Sequence, residues 1–315
     1  MKVILDMDPG VDDALALILA LNSKELEVLA VTIVAGNTSL SNATINALRV
    51  LELIGCDVPV AMGESKSIMG YELAMPFTFI HGYDGLGDLN LPIPNKKAES
   101  IHAIDLIIDK LKSHSYGEIT IIATGPLTNI AKFIIKDYEV AKKVNQIISM
   151  GGAFNITPYG IGNQTPVAEF NIFRDPEAAS IVYNSRLNVT AVGLDVTMNP
   201  SIFIDKEMHK KILEKDTKTS KFVANIIKRS IENYGFFAPH DPLAVAISID
   251  PKLVKIMPLH VKVETKGEFT RGQTIIDKRW WVKKKEDEKS NVNVCVDVDG
   301  KRFLDMFMER VVENW

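Results

Sequence analysis

Short apolar runs alternate with longer amphipathic stretches over the first two thirds of the chain. The runs are rich in β-branched residues and have the length of strands, whereas the amphipathic stretches repeat their apolar residues at helical spacing. Such alternation is typical of βαβ units, so the predicted fold class is α/β, with a Rossmann-like, open, mainly parallel sheet flanked by helices. The pattern predicts strands at residues 2–5, 28–34, 119–123, 146–150 and 188–192, and helices at residues 11–21, 42–53, 101–111, 129–135 and 176–183.

The last third of the chain has a different pattern. Residues 205–232 are helical in spacing and rich in charge, a further helix begins near His240, and residues 259–296 indicate β-hairpin structure. These features predict extra C-terminal helices and a small β-hairpin region. Two earlier stretches, residues 62–95 and 151–170, hold many Gly and Pro with little periodicity, and their length favours active-site loops.

Composition narrows the class of protein. The 315 residues are 46% hydrophobic and 24% charged, as in ordinary globular enzymes. Because no linker or repeat interrupts the chain, we expect one domain over residues 1–315. The net charge of -4 comes without a basic stripe, which argues against a nucleic-acid or membrane partner. Cys56 and Cys295 lie far apart, so neither a disulfide framework nor a zinc site is indicated. The first residues show no leader pattern, and we expect a cytoplasmic protein.

The first predicted strand passes through a turn into a helix, and four aspartates lie within eight residues there: Asp6, Asp8, Asp12 and Asp13. Residues two apart on a strand share a face, so Asp6 and Asp8 are expected to point the same way. A helix N-terminus stabilises a carboxylate by ~0.3–1 kcal/mol, which explains one or two charges on a solvated turn but not four in one crevice. A cation is the expected remedy, and a set of oxygen ligands favours Ca²⁺ or Mg²⁺.

Other polar positions fall at places where a ligand could meet this cluster. Turn residues 36–38, 124–126 and 151–152 directly follow predicted strands, and ligands of open α/β sheets bind at the carboxyl ends of the strands. His240 and Asp241 stand at the start of an apolar helix, with Pro242 suited to its first position. Asp241 could be a simple N-cap and His240 a packed side chain. Joined to the aspartate cluster, they would instead supply a carboxylate ligand and a proton donor near neutral pH.

Seven motifs together resemble one known family. The run DMDPGVDDA at residues 6–14 resembles the N-terminal aspartate signature of the inosine-uridine preferring nucleoside hydrolases. Further matches recur in the family's order: GNT at 36–38, HGYDG at 81–85, TGPLTN at 124–129, MGG at 150–152, PVAEFN at 166–171 and HDP at 240–242. The motifs span roughly three quarters of the chain, and seven in order are far more specific than a single acidic motif.

The resemblance implies a set of site residues. Its Ca²⁺ ligands fall on Asp8, Asp13, Asp241 and the backbone carbonyl of Thr124, and Asp8 also matches the group that takes a proton from the attacking water. The implied ribose contacts are Asp12 and Asn37 to the 2′-hydroxyl, Asn171 and Asp241 to the diol, Glu169 and Asn163 to the 5′-hydroxyl, and Met150 along the sugar pocket. His240 matches a residue linked to protonation of the leaving base, and His81 a residue on the base side. Asp6 is expected to have a supporting role.

The chemistry of these residues agrees with cleavage of an N-glycosidic bond. Positive charge develops on the ribose, which suits clustered carboxylates, and negative charge develops on the base, which suits a proton donor. Glu169 and Asn171, two residues apart on a predicted extended segment, would face the same side and hold ribose hydroxyls. The predicted function is Ca²⁺-dependent hydrolysis of ribonucleosides to ribose and free base in nucleoside salvage.

Base preference is predicted from two imidazoles and the aromatic residues. His81 and His240 together resemble members with broad or pyrimidine-leaning specificity, which favours uridine and cytidine. Trp280, Trp281 and Trp315 come late in the chain and are interpreted as packing residues rather than base contacts. The segment at 231–238, with Glu232, Tyr234, Phe236 and Phe237, is expected to form part of the base pocket.

Two other functions compete with this prediction. A haloacid-dehalogenase-like phosphatase would use Asp6 as nucleophile and Asp8 as acid/base, but it leaves Glu169, Asn171 and the His240–Asp241 pair unexplained. A nucleoside sensor would bind without turnover, although the chain holds a base, metal ligands and a proton donor. The partner expected on the leading hypothesis is a small-molecule ribonucleoside. The resemblance further implies a homo-oligomer, with a tetramer favoured over a dimer.

Overall fold

The computed structural model describes residues 1–75, 78–279, 281–282 and 289–313. Eight strands form one open sheet in the order β3-β2-β1-β4-β5-β6-β12-β9. Their bounds are β1 Lys2–Met7, β2 Glu27–Ile33, β3 Val60–Met62, β4 Ile119–Ala123, β5 Gln146–Met150, β6 Val189–Val192, β9 Val254–Leu259 and β12 Val292–Val298. Neighbouring strands are parallel except for the edge strand β9, which runs antiparallel to β12. The predicted α/β class and mainly parallel sheet are confirmed.

Helices cover both faces of this sheet. They are α1 Val11–Leu21, α2 Leu40–Ile54, α3 Thr78–His81, α4 Ala103–Lys112, α5 Thr128–Lys136, α6 Tyr138–Ala141, α7 Phe170–Arg174, α8 Pro176–Tyr183, α9 Leu194–Thr197, α10 Lys206–Glu214, α11 Lys218–Tyr234, α12 His240–Ile249 and α13 Gly300–Phe307, with a π-helical turn at Met308–Glu313. Two small antiparallel pairs complete the described structure: β7 Ile204–Asp205 with β8 Phe236–Phe237, and β10 Val261–Val263 with β11 Thr274–Ile276.

The strands are buried because both faces of the sheet are covered. In β1, Val3, Leu5 and Met7 belong to the hydrophobic core on one side of the sheet, and Ile4 belongs to the core on the other side. This alternation follows from the two-residue repeat of a strand, and a strand covered on both faces reads as a continuous apolar run. The first core also contains most of α1, which packs against α12.

Sequence periodicity located most elements well. Strands β4 and β5 and helices α1 and α8 have the predicted bounds, while α2 and α4 differ by one or two residues at their ends. Strand β3 was not predicted, since its three residues are too few to show a period. Pro242 was expected at the first helical position, but α12 begins at His240 and Pro242 is its third residue. In the described part of the chain, no helix has both the length and the apolar character needed to cross a bilayer.

The strand order fixes where a ligand site can form. From β1 the chain builds the sheet first toward β2 and β3, and then from β4 in the opposite direction. The carboxyl ends of β1 and β4 therefore flank a topological switch point, where open α/β sheets bind ligands. Asp8 follows β1 and Thr124 follows β4, and the Thr124 amide donates to the Asp6 carbonyl at 2.8 Å.

Candidate active site

A cavity of about 350 Å³ opens at the carboxyl edge of the sheet. Most of the predicted site residues line it: Asp12, Asn37, His81, Thr124, Met150, Asn163, Glu169, Asn171, His240 and Asp241. The other two, Asp8 and Asp13, are buried and contact lining residues Asn37 and Thr124. A larger cavity of about 590 Å³, lined mainly by residues 153–167 and 273–279, contains none of the predicted residues. The structure thus brings the separate sequence motifs to one place.

Asp8 is held by backbone that approaches it closely. Its Oδ2 accepts a hydrogen bond from the Asn37 amide at 2.7 Å, whereas its buried Oδ1 has no hydrogen-bond partner among the described residues. A Cβ on Gly36 would lie 2.0 Å from Oδ2, and a Cβ on Gly125 would lie 2.8 Å from Oδ1. Glycine is therefore required at both positions for the turns to fit around this carboxylate.

Asp13 ties the turn after β1 to the start of α1. Its Oδ2 accepts from the Gly10 amide and from Asn37 Nδ2, each at 3.1 Å, and its Oδ1 accepts from Thr124 Oγ1 at 2.8 Å. An acidic side chain in the first turn satisfies backbone donors that have no helical partner. Asp13 is consequently a local cap as well as a member of the acidic cluster.

Two helix N-termini bring three carboxyls together. Asp12 and Asp13 lie in the first turn of α1 and Asp241 in the first turn of α12, and one oxygen from each lies within 4.8 Å of the others. Burial, and then the charges of the neighbouring aspartates, raise the pKa of Asp241 well above its usual range. Burial and the charge of Asp13 raise the pKa of Asp12 to about 7. Such a cluster is costly for the protein alone and suits a bound cation.

These groups fit a hard cation. The Asp8 oxygen without a partner, the gathered carboxyls and the Thr124 carbonyl are all oxygen donors of the kind that Ca²⁺ prefers. The Thr124 carbonyl accepts from Asn171 Nδ2 at 2.7 Å, which places that oxygen beside one of the predicted ribose contacts. Asp8, Asp13, Thr124 and Asp241 remain the predicted ligand set, whereas the three carboxyls that the structure gathers are those of Asp12, Asp13 and Asp241.

Asp6 points to a different set of partners. Its Oδ1 accepts from Thr32 Oγ1 at 2.6 Å and from Asn129 Nδ2 at 2.8 Å, and burial raises its pKa to about 7. Asn129 also donates to the Ile33 carbonyl and accepts from the Glu64 amide. Asp6 therefore joins neighbouring strand ends into one framework and does not line the cavity, in keeping with the supporting role expected for it.

The prediction of an extended segment for Glu169 and Asn171 was wrong. Glu169 is the N-cap of the five-residue helix α7, and its carboxylate accepts from the amides of Asn171, Ile172 and Gly152 at 2.8–3.0 Å. Asn171 lies in the first turn of that helix. Both side chains still reach the cavity because a cap and the first turn of a helix lie at the same end. Glutamate is not among the preferred N-cap residues, and five residues are too few to show helical periodicity, so the sequence carried no clear signal for this helix.

The amide side chains beside α7 are oriented by its neighbours. Asn171 Nδ2 donates to the Thr124 carbonyl and to the Met150 carbonyl, the latter at 3.2 Å. Asn163 Oδ1 accepts from the Phe170 amide at 2.9 Å, which joins the loop before α7 to the helix itself. Asn163 and Glu169, the predicted 5′-hydroxyl contacts, and Asn171, one of the two predicted diol contacts, thus belong to one hydrogen-bonded unit around α7.

Both predicted histidines line the cavity as neutral rings. His81 Nδ1 accepts from the Val11 amide at 3.1 Å, so the ring carries its proton on Nε2. His240 Nδ1 lies 2.8 Å from Thr197 Oγ1. Burial lowers the pKa of each ring to about 4, and the nearby His240 adds to this effect at His81. Each ring can therefore donate an N–H at neutral pH while uncharged, and the proton-donor role of His240 stays a prediction.

Aromatic side chains form one wall of the cavity. Phe79, Tyr234 and Phe236 line the cavity, with ring centroids of Tyr234 6.4 Å from each of the other two, and Phe236 stacks on Phe203 at 4.1 Å. Tyr234, Phe236 and Phe237 were predicted from the sequence, but six lining residues were not, namely Phe79, Ile80, Gln164, Phe170, Met198 and Ser230. Apart from Gln164 and Ser230 they are apolar, and nothing in the sequence separates these apolar residues from core residues.

Glu232 and Trp281 do not line the cavity. Glu232 is exposed and pairs with Lys228 at 3.7 Å on the outer face of α11, so its predicted place in the pocket was wrong. Trp281 is 67% exposed and is not among the described lining residues. Trp280 and Trp315 lie outside the described residues.

Comparison with known proteins agrees with the site. The family model for the inosine-uridine preferring nucleoside hydrolases matches residues 3–305. The chain is 39% identical to the inosine-uridine preferring nucleoside hydrolase of Leishmania major, covering 96% of this chain and 94% of that one. It is also 39% identical to the pyrimidine-specific ribonucleoside hydrolase RihA of Shigella boydii, over 99% and 98% of the two chains. A solved purine-preferring ribonucleoside hydrolase from Gardnerella vaginalis superposes with a TM-score of 0.90 at 37% identity, over 99% and 98% of the chains.

An α/β sheet with an acidic crevice at its switch point, matched over nearly its whole length by such relatives, defines an N-glycosyl hydrolase. The chain belongs to the inosine-uridine preferring nucleoside hydrolase family. It is therefore a ribonucleoside hydrolase, as the seven motifs predicted, and the phosphatase interpretation of Asp6 is abandoned.

Proposed function

We propose that the protein hydrolyses ribonucleosides, uridine and cytidine before purines, to ribose and free base in a Ca²⁺-dependent reaction. The observation that supports the proposal is that the carboxyls of Asp12, Asp13 and Asp241 meet beside a cavity lined by the proposed ribose contacts. We further propose, on family resemblance, a role in nucleoside salvage as a cytoplasmic homo-oligomer, with a tetramer favoured.

Asp8, Asp13, Asp241 and the Thr124 carbonyl would hold the ion. When bound, Ca²⁺ would lower the pKa of a water molecule and offer coordination sites to the ribose diol. The orphan Oδ1 of Asp8 is the group best placed to accept the proton of the attacking water, because the protein gives it no donor within the described residues. General base catalysis of this kind contributes ~10²- to 10⁴-fold.

The remaining polar groups would orient the sugar. Asp12 and Asn37 would bind the 2′-hydroxyl, and Asn171 and Asp241 would bind the diol. Glu169, held by three backbone amides, and Asn163 would bind the 5′-hydroxyl. Because positive charge develops on the ribose in the transition state, the surrounding carboxylates would stabilise it more than the ground state.

The two imidazoles would serve the departing base. His81 must present an Nε2–H, because its Nδ1 accepts from Val11, and His240 sits on the same cavity one residue before Asp241. Donation to the base relieves the negative charge that develops as the bond breaks. A pyrimidine-specific relative is 39% identical to the chain and a purine-preferring relative is 37% identical, so overall similarity favours neither base. The proposed preference for pyrimidines therefore rests on this pair of histidines.

The test is an assay of reducing sugar released from uridine, cytidine and inosine, with Ca²⁺ and with excess chelator. We expect ribose from all three, fastest from uridine or cytidine, and loss of release in chelator that Ca²⁺ restores. Full activity in chelator would overturn the metal requirement, and inosine as the best substrate would overturn the base preference. Tight uridine binding with no ribose released would show a nucleoside sensor instead.

A further inference from the structure

Two walls of the cavity are joined by one arginine. Arg229, on α11, donates from Nη1 to the Thr78 carbonyl at 2.5 Å and from Nη2 to Asp88 Oδ2 at 2.9 Å. One turn further along the helix, Asn233 Nδ2 donates to the Phe79 carbonyl at 3.2 Å. The helix supplies Ser230 and Tyr234 to the cavity lining, and the contacted segment, residues 78–88, supplies its residues 79–81. The two walls therefore keep their relative position through polar contacts of Arg229 and Asn233.

Asp88 organises the segment that Arg229 grips. Its Oδ1 accepts from the amides of Tyr83 and Asp84, at 2.6 and 3.1 Å, while its other oxygen receives the arginine. Asp84 Oδ1 in turn accepts from the amides of Leu86 and Asp88. The two carboxylates thus bind four backbone amides of a tight turn whose glycines, including Gly87, have left-handed conformations. Two arginine charges offset the repulsion between these carboxylates: Arg229 lies beside Asp88, and Arg49 lies 4.0 Å from Asp84.

On its other side, segment 78–88 is linked by hydrogen bonds to the turn between β1 and α1. Asn46 Nδ2 donates to both the Asp84 carbonyl and the Pro9 carbonyl, at 2.8 and 3.0 Å. His81 Nδ1 accepts from the Val11 amide at the start of α1. The segment is consequently fixed to the acidic cluster at one side and to α11 at the other, so its position sets the spacing of the two walls.

We propose that Arg229 is a positioning residue that holds segment 78–88 against α11 and thereby sets the place of His81 and Phe79 for substrate binding. The effect on substrate binding rests on the proposed function, whereas the anchoring of segment 78–88 to α11 does not. Arginine suits this task because its planar guanidinium offers separate donors to two acceptors, Thr78 and Asp88. A lysine at this position could pair with Asp88 but could not hold both acceptors with the same fixed geometry.

The same helix offers a matched control. Lys228 precedes Arg229 and pairs with Glu232 at 3.7 Å, with both side chains about 60% exposed. Lys228→Met removes a cation of the same helix without touching segment 78–88, so it reports the general effect of losing charge from α11. Exposed pairs of this kind contribute little to stability.

The first experiment is hydrogen exchange on the full chain without substrate. In Arg229→Met, we expect the amides of residues 82–88 to exchange about three- to tenfold faster than in the wild type, with the strands of the sheet unchanged. Arg229→Lys should recover part of the protection, and Lys228→Met should leave it intact. Unchanged exchange at 82–88 in Arg229→Met, or an equal increase throughout the chain, would overturn the proposal.

The second experiment measures uridine hydrolysis by the same variants. We expect Arg229→Met to raise KM about three- to tenfold and to lower kcat by a smaller factor, because the displaced wall carries Phe79 and His81 whereas the acidic cluster stays in place. Arg229→Lys should fall between, and Lys228→Met should match the wild type. A loss confined to kcat would overturn the positioning role. If the wild type releases no ribose from any nucleoside, the proposed function fails while the exchange result still decides the role of Arg229.

Discussion

One carboxyl oxygen of Asp12 and one of Asp241 lie within 4.8 Å of each other, although the two residues are far apart in the sequence. Burial and the charges of the neighbouring carboxylates raise the pKa of both groups, which favours a proton on one of them. The contact exists because α1 and α12 pack together with their N-termini at the same edge of the sheet. A divalent cation placed among these groups would replace that proton and favour both charged forms.

Calcium should therefore stabilise the fold. At a free Ca²⁺ concentration one hundred times its Kd, binding to the native state alone adds about 2.7 kcal/mol, which corresponds to a Tm increase of several degrees. Asp241→Ala should abolish most of this increase and weaken ribose binding. Asp297→Asn, which removes an exposed partner of Lys255, should keep it. Thermal unfolding with Ca²⁺ and with chelator measures the effect, and an equal shift in wild type and Asp241→Ala would contradict the predicted ligand set.

Asp8→Ala should abolish turnover. The change removes the buried Oδ1 assigned to proton transfer and the Oδ2 that anchors the Asn37 amide. We expect kcat for uridine to fall by about 10²- to 10⁴-fold. Asp8→Asn keeps the size of the side chain and should show a similar loss, which separates proton transfer from packing. Steady-state ribose release, checked beside the circular dichroism of each variant, decides the point: a folded Asp8→Ala enzyme with full activity would refute the mechanism.

Gly36→Ala should damage the site through sterics alone. Its Cβ would lie 2.0 Å from Asp8 Oδ2, so the turn or the carboxylate must shift, at a cost of about 1–3 kcal/mol. We expect at least a tenfold loss of kcat. Gly55→Ala is the control, because Gly55 has a φ of 71° at the end of α2 and no described atom lies within 4 Å of its added Cβ. That variant should lose about 1 kcal/mol of unfolding free energy by urea titration but keep its kcat. Equal kcat in the two variants would argue against the tight turn around Asp8.

His240→Ala should separate substrates by their leaving groups. If the ring donates to the departing base, uridine cleavage should slow by about 10²-fold or more, while a riboside with an activated phenolic leaving group should be affected little. The measurement is kcat/KM for both substrates in the wild type and in the variant. An equal loss on the two would instead assign His240 to holding the sugar, through its neighbour Asp241.

The acidic cluster could be predicted from the sequence because most of its residues are close together along the chain. Asp8, Asp12 and Asp13 lie within one strand-to-helix turn, and their charge density alone indicates a cation. Asp241 has no local signal beyond a helix start, and only the family's ordered motifs linked it to the others. Asp241 is brought to the cluster by the tertiary packing of α12 on α1, which depends on apolar residues along both helices.

Other parts of the site had no readable signal. Arg229 and Asn46 donate hydrogen bonds to backbone carbonyls far from them in the sequence. No pattern of residue spacing could therefore have predicted these contacts. Phe79 and Met198 line the cavity but resemble core residues in the sequence. The helical start at Glu169 was missed because helix α7 is shorter than two turns, and the further hydrogen bond of its carboxylate to the Gly152 amide comes from a distant loop.

The packing of α1 against α12 also makes the site depend on residues that never meet a substrate. Leu15 and Leu19 of α1 and Ala244 of α12 are fully buried in the same core. A single inserted residue in the first turn of either helix would rotate its N-terminal groups by about 100° and shift them 1.5 Å relative to the anchored core face. The number of residues between the N-terminal aspartates of each helix and its buried core residues must therefore stay constant. This holds even where the inserted residue itself would make no unfavourable contact.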